Sequence, residues 1–308
     1  MKIGIGIGAA TGVDGTIESL LEQVKRAEAD GFHSAWMANV FSHDAINLLS
    51  LAGQVTNSIE LGTFVVPTYP RHPLALAQQA LTASAATRGR FVLGIGLSHK
   101  IVIENMMGLD YSKPVRHMRE YLACLVPLLR GEQIRFRGEE YRVTGQVEVP
   151  GATPPPVIVA ALGPQMLRLA GQLAAGTATW MGGPKYLEQT AIPLIRAAAR
   201  EAGRPEPRVV SGFPVAVTAN TDSARESAAH IFQNYGRLPS YRAVLDIEGA
   251  NPADVAIIGN EEEVARQVRR LAEIGITDFN ASIFSVRGDD RVYDRTYDVL
   301  KTLAKERS

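Results

Sequence analysis

The sequence predicts an α/β protein of the (β/α)8 barrel type, with a small hairpin insertion after the fourth strand. Three observations lead there. Short apolar runs and longer amphipathic runs alternate from end to end, giving eight strand signals, each followed by helical sequence. The 308 residues suit one such barrel with modest insertions, since the fold typically needs about 250. The rival is a doubly wound sheet, and its fingerprint is incomplete here. In "GIGAATG" (6–12) Thr11 stands where the third glycine belongs, and Asn39 stands where an acidic residue should end the second strand. One barrel domain over 1–308 is expected, with 131–156 inserted within it.

The elements follow in order. "KIGIGIG" (2–8) is an apolar strand, and "TIESLLEQVKRAEADG" (16–31) is an amphipathic helix closed by Gly31. A second strand covers 33–38, with a short helix over 43–55; the third, "IELGTFVV", covers 59–66. Pro67, Pro70 and Pro73 punctuate the way into a helix over 74–88. "FVLGIG" (91–96) is the fourth strand, ended by "LSH", with a helix over about 113–130. Residues 131–156 then alternate in polarity between glycine turns and a proline run, which reads as a hairpin rather than a further strand–helix unit. Strands at 157–162, 177–181, 208–218 and 276–284 resume the rhythm, with helices at 164–175, 185–202, 222–247, 261–274 and 290–305.

Composition narrows the function. The 32 basic and 32 acidic side chains give a net charge of zero, which offers no footprint for nucleic acid or an anionic membrane. The single cysteine, Cys124, excludes an intrachain disulfide and falls on a helix as a small core residue. The apolar runs are too short for a membrane span and the start reads as a strand rather than a leader, so a cytoplasmic location is expected.

Barrel sites lie at the C-terminal ends of the strands. Those ends carry Gly8, Ala9, Asn39, Val66, Pro67, Ser98, His99, Ala161 to Gly163, Trp180 to Gly183, Val217 and Phe284. Paired carboxylates, a His-x-His motif and a strand-end lysine are all missing from that set, which argues against a glycosidase, a metal-dependent hydrolase and a Schiff-base enzyme. No metal site is expected. An apolar, glycine-rich mouth suits a flat organic cofactor that brings its own reactivity. Gly94 and Gly96 would let neighbouring groups crowd beneath a ring, or would only relieve crowding inside the barrel. "ALGPQML" (161–167) and "TWMGGPK" (179–185) each offer a helix start able to take a phosphate, Lys185 standing beside the second; ordinary loop chemistry is the alternative. His99 is the first candidate for a proton donor or substrate-positioning group, against a role in bonding the helix that follows. Asn39 would bond a ring edge or cap the short helix, and Trp180 would wall the pocket or pack under the rim. His72 and His43–Asp44 read as loop and helix-start residues, and His33, His117 and His230 as structural or surface ones.

Taken together, "GTFVVPTYPRHPLALAQQALTASAATRGRFVLGIGLSH" (62–99), "VKRAEADGFHSAWMAN" (24–39), "PPVIVAALGPQMLRLAG" (155–171) and "AAGTATWMGGP" (174–184) closely resemble the bacterial luciferase-like monooxygenase superfamily. The resemblance runs through most of the chain in the right order and implies a barrel using FMN or the deazaflavin coenzyme F420. It looks most like the deazaflavin-dependent oxidoreductase branch, which implies hydride transfer to a C=N, C=C or C=O group of a small organic substrate. An FMN monooxygenase is the alternative on the same fold, and a non-enzymatic cofactor-binding module a third. By the resemblance, Phe64, Val65 and Val66 form a bulge behind the central ring, with a non-prolyl cis peptide joining Phe64 and Val65. Gly96 and Ser98 adjoin it, and Gly163, Pro164, Gln165 and Met166, with Trp180, Gly182 and Gly183, contact the phosphate and ribityl chain. Asn39 and His99 stand where the sugar-phosphate enzymes of that branch carry an Asp and a catalytic Glu, and Val40 replaces a His, which argues against that activity. Arg71, Lys100 and Lys185 are candidates for the anionic tail, residues 131–156 and 232–250 for the cover over substrate, and the apolar 32–53 region for a homodimer interface.

Overall fold

A computed structural model describes residues 1–8 and 15–306. Ala9 and Thr11, named above at the first strand end and in the first turn, lie outside the described residues. Eight strand positions close into a parallel barrel: β1 (Lys2–Ile7), β2 (Ser34–Met37), β3 (Glu60–Thr63) continued by β4 (Val66–Pro67), β5 (Phe91–Gly96), β8 (Val157–Ala160), β9 (Gly176–Trp180), β10 (Arg208–Val217) and β12 (Asp278–Ile283). Closure comes from β1 pairing with β12, Lys2 opposite Asp278 through Ile5 opposite Ala281. Between β5 and β8 stands an antiparallel hairpin, β6 (Ile134–Arg137) and β7 (Arg142–Gly145), where the sequence places an insertion.

The outer helices are α1 (Ile17–Asp30), α2 (Ala45–Val55), α3 (Pro73–Ala86), α4 (Pro114–Leu129), α5 (Pro164–Leu173), α6 (Pro184–Tyr186), α7 (Ile192–Glu201), α8 (Thr221–Phe232), α9 (Pro239–Glu248), α10 (Glu261–Glu273) and α11 (Val292–Lys305). A π-turn over Leu187–Ala191 joins α6 and α7 into one continuous helix. Local chemistry sets several starts. Thr16 caps α1, Asp44 caps α2, and the His72 imidazole accepts from the Leu74 amide ahead of Pro73.

Side chains alternate across the barrel wall. Ile3, Ile5 and Ile7 of β1 join the main hydrophobic core shared with the helices, while Trp36, Val92, Ile158, Ala178 and Val210 fill the barrel interior. The Trp36 indole fits because Gly4 and Gly62 leave it room; a Cβ at either position would overlap the ring. Its N–H donates to Ser34 Oγ at 2.8 Å. Below it, at the N-terminal end of the barrel, Arg208 donates to Glu60 at 2.6 Å and to Asp278 at 2.5 Å, joining β10, β3 and β12.

Three features depart from the expected elements. The third strand is interrupted: Phe64 and Val65 leave the ladder between β3 and β4, because Thr63 Oγ1 takes over the pairing, accepting from the Gly94 amide and donating to the Gly94 carbonyl at 2.8 Å each. A short strand, β11 (Ile257–Gly259), pairs with the end of β10 inside sequence that carries no helix period. The hairpin lies on the flank rather than over the mouth. The Glu120 carboxylate of α4 accepts from the amides of Glu139, Glu140 and Tyr141, and the Tyr141 hydroxyl meets the His117 ring at 3.3 Å.

A Cβ at Gly94 would overlap the Thr63 carbonyl oxygen, whereas one at Gly163 meets open space at a φ of −81°. Gly94→Ala is therefore expected to lower stability by about 1–3 kcal/mol by overpacking. Gly163→Ala is expected to leave it within about 0.5 kcal/mol. Urea unfolding of the two variants checks this, and equal midpoints would contradict it.

Candidate active site

The expected residues stand at the C-terminal rim of the barrel. The connection between β3 and β4 crosses it, with a cis peptide joining Phe64 and Val65 as the resemblance implied. Val65 is seated on β5: a Cβ at Gly96 would overlap its Cγ2, and one at Gly94 would approach its Cγ1 at 3.0 Å. The glycine pair thus answers to the bulge, not to crowding in the deep interior. Phe64 turns its ring toward Trp36 (6.1 Å between centroids) and Trp180 (6.5 Å), and Gly212 of β10 makes the space, since a Cβ there would meet both Phe64 and Trp180. Val66 pairs with Ile95 and is buried.

Two rim residues other than glycine hold left-handed backbone: Ser98 after β5 (φ 60°) and Met181 after β9 (φ 52°). Both occupy loops assigned to the site, and such conformations persist only where the surrounding structure enforces them. After Ser98, the His99 carbonyl accepts from the amides of Val102 and Ile103 and starts the next helix, while its ring is half-buried and lies 6.0 Å from Tyr241. Burial lowers the His99 pKa, so the imidazole is neutral at pH 7.

Asn39 bonds the first turn of α2, beside the Asp44 cap. Its Oδ1 accepts from the Ala45 amide at 3.1 Å and from Arg71 at 3.4 Å. Arg71 also donates to Asp44 at 2.9 Å, so that guanidinium is already engaged. Lys100 and Lys185 are exposed.

The two helix starts differ. At α5 the N-cap is Gly163, with Pro164 following and no side-chain cap, so the Gln165 and Met166 amides lack a capping acceptor. Gly163, Pro164 and Gln165 are exposed, and Met166 is buried. At α6 the buried glycines Gly182 and Gly183 precede Pro184, and there the Tyr186 amide donates to Oε1 of Glu248 at 2.5 Å. The Tyr186 hydroxyl donates to the Leu162 carbonyl, tying the two loops together.

A cover closes from α8 and α9. Phe232 stands 6.1 Å and Tyr235 6.2 Å from Trp180, and Tyr235 stands 4.8 Å from Tyr241, completing a chain of rings to His99. The buried Trp180 indole N–H faces the Tyr235 side and has no partner of hydrogen-bonding geometry. Sequence reasoning assigned 232–250 to the cover but did not single out Tyr235, Tyr241, Gly212 or Glu248; each acts through contacts distant in the chain. The only local signal was Gly212 inside an apolar strand. Among the described residues no group of three His, Cys, Asp or Glu is placed to hold a metal, and no helix is long and apolar enough to cross a membrane.

The family model for luciferase-like monooxygenases matches residues 1–278. The chain belongs to the luciferase-like monooxygenase family. Among its relatives, 5,10-methylenetetrahydromethanopterin reductase of Methanolobus tindarius is 30% identical over 237 residues, covering 76% of this chain and 72% of the relative. Two solved structures share the fold. The coenzyme F420-dependent tetrahydromethanopterin reductase of Methanopyrus kandleri superposes with a TM-score of 0.76 at 22% identity, covering 99% of this chain and 97% of that one. The oxygenating constituent of 3,6-diketocamphane monooxygenase of Pseudomonas putida, in complex with FMN, gives 0.73 at 18% identity over 99% and 97%. Family membership makes the chain a luciferase-like oxidoreductase.

Behind the rim, His117 is buried beneath Tyr69 (3.8 Å between centroids) and bonds Thr68 Oγ1 at 2.9 Å. Burial pushes its pKa down to about 4. The native state therefore binds fewer protons than the unfolded chain between that value and 6.5, and stability falls as pH drops through that window. His33 and His99, also lowered, add in the same direction, while the lowered carboxylates Glu28 and Glu120 act only below about 4.5. His117→Gln is expected to remove up to about 3 kcal/mol of the stability loss between pH 6.5 and 4. Denaturation at a series of pH values measures it, and an unchanged slope would count against a neutral buried imidazole.

Proposed function

We propose that this protein binds coenzyme F420 and reduces a C=N, C=C or C=O group of a small organic substrate. The observation that carries the reading is the rim itself: the Phe64–Val65 bulge, seated on Gly94 and Gly96, stands beside the uncapped start of α5. That combination offers a flat apolar platform next to amides that take an anion. When bound, reduced deazaflavin supplies a hydride from its C5.

The chain's own residues do the rest. Phe64 and Val65 would back the ring, supported by the buried Val66, with Gly96 and Ser98 toward its edge. Gly163, Pro164, Gln165 and Met166 would receive the phosphate, with Gly182 and Gly183 adjoining it. Asn39 keeps the loop after β2 in register through Ala45 and Arg71. His99, neutral and flanked by Tyr241, would donate a hydrogen bond that positions and polarises the reacting group, and the proton that balances hydride transfer would be taken up from solvent once the transfer is complete. The rings of Tyr235, Tyr241 and Trp180 keep water from that centre. A cytoplasmic homodimer through the exposed face around Val40, Phe41 and Leu51 belongs to the same reading.

An FMN monooxygenase is the second reading, favoured by the FMN-bound neighbour of the same fold. A fluorescence titration of the purified protein with each cofactor separates them. Saturable deazaflavin binding with negligible FMN binding is expected; the opposite preference hands the lead to the monooxygenase, and binding of neither removes both. In the loaded enzyme, His99→Ala is expected to lower kcat by about 10²–10⁴-fold while cofactor affinity stays within a few fold. A kcat within threefold of the parent would rule out a role for His99 at the reacting group.

A further inference from the structure

The two helix starts at the rim are not equivalent, and Glu248 makes the difference. Residue 248 ends α9, the helix whose Tyr241 meets His99, and its carboxylate reaches back to the first turn of the continuous helix 184–201. It accepts from the amides of Tyr186 and Lys185. Gly183, at a φ of 71°, is shaped by this contact: any Cβ there would overlap the Glu248 carboxyl group. The glycine-rich loop that sequence alone offers to a phosphate is thus already filled by an internal anion. Glu248 is half-buried, and loss of water raises its pKa against the pull of the two amides and of Lys185. The Lys185 ammonium is exposed, so solvent screens its charge more than that of the carboxylate. The start of α5 has no such occupant, and the Tyr186 hydroxyl on Leu162 holds the two starts side by side.

We propose that Glu248 is a cofactor-specificity residue: its fixed carboxylate at the α6 helix start, which Tyr186 ties to the α5 start, admits a phosphodiester monoanion and disfavours a terminal phosphomonoester dianion. This rests on the deazaflavin reading for the place of the phosphate. Deazaflavin carries its phosphate as a diester within a longer tail, whereas FMN ends in a monoester that approaches two charges above neutral pH. Repulsion from one fixed charge is linear in the charge that faces it, so the penalty on a dianion is twice that on a monoanion. The discrimination acts on the phosphate and is independent of the ring.

The experiment compares riboflavin, FMN and coenzyme F420 as fluorescence ligands at pH 8, for the parent protein and Glu248→Gln. The glutamine keeps an oxygen that accepts from the Tyr186 amide and removes the charge; melting temperatures verify the fold. FMN affinity is expected to rise about tenfold in the variant and the diester about threefold, the square-root relation that linear repulsion requires, with riboflavin within twofold. Glu248→Ala must show the same ordering, and stands in if the glutamine variant does not fold. Equal changes for all three ligands, or unchanged ratios, overturn the assignment while leaving the cofactor reading intact. If none of the three binds either protein, the cofactor reading itself falls and the assignment with it.

Discussion

The rim of this barrel depends on one substitution of a side chain for a backbone pair. Where β3 should continue beside β5, Thr63 Oγ1 accepts from and donates to the main chain of Gly94. A buried, unpaired amide and carbonyl would each be costly, so the ladder can break only if another group satisfies them. With Thr63 in that role, Phe64 and Val65 are free to leave the wall and cross the mouth. Gly94 and Gly96 then matter because β5 must receive Val65 where any larger residue would stand. The Phe64 ring in turn needs Gly212 on the far side of the barrel. One side-chain substitution in the ladder thus determines the residue type at three glycine positions on two other strands.

Charge is partitioned along the barrel axis. At the N-terminal end, Arg208 is bonded to both Glu60 and Asp278, and these hydrogen bonds raise its pKa against the effect of burial. Removing Arg208 would leave the buried Asp278 carboxylate beside Glu60 with no compensating charge, which is the expensive outcome. At the rim the ionisable groups are held otherwise: Arg71 is engaged by Asp44 and Asn39, His99 is neutral, and Glu248 is bound by backbone amides. A mouth arranged in this way contributes orientation and exclusion of water more than fixed charge. That division matches the proposed reading, in which reactivity resides in a bound cofactor, and it leaves the glycines and rings as the chain's own contribution.

The barrel was legible because its signals are local. Apolar periodicity, caps such as Thr16 and Asp44, and proline at helix starts all act within a few residues. The hairpin was legible for the same reason, yet its position was not. The hold of Glu120 on the amides of residues 139–141 crosses about twenty positions and carries no signature in composition. The interrupted third strand is a middle case. Its residues read as one apolar run, and only the resemblance set Phe64 and Val65 apart, because periodicity cannot register a side chain that replaces a ladder bond.

Glu248 marks the limit of such reading. In the sequence it is one acidic residue near the end of an amphipathic helix, where a negative charge opposes the helix dipole and has no local reason to be. Its partner, the Tyr186 amide, lies 62 residues away at the start of a different helix, where the same charge is favourable. The unfavourable position in α9 and the favourable one on α6 belong to a single side chain, so neither helix considered alone explains it. Gly183 shares the ambiguity: a glycine at a strand end reads as a phosphate turn, but its missing Cβ is filled by the carboxyl group of Glu248. A helix start is an anion site only until something else in the chain reaches it, and which anion occupies it is decided by tertiary packing.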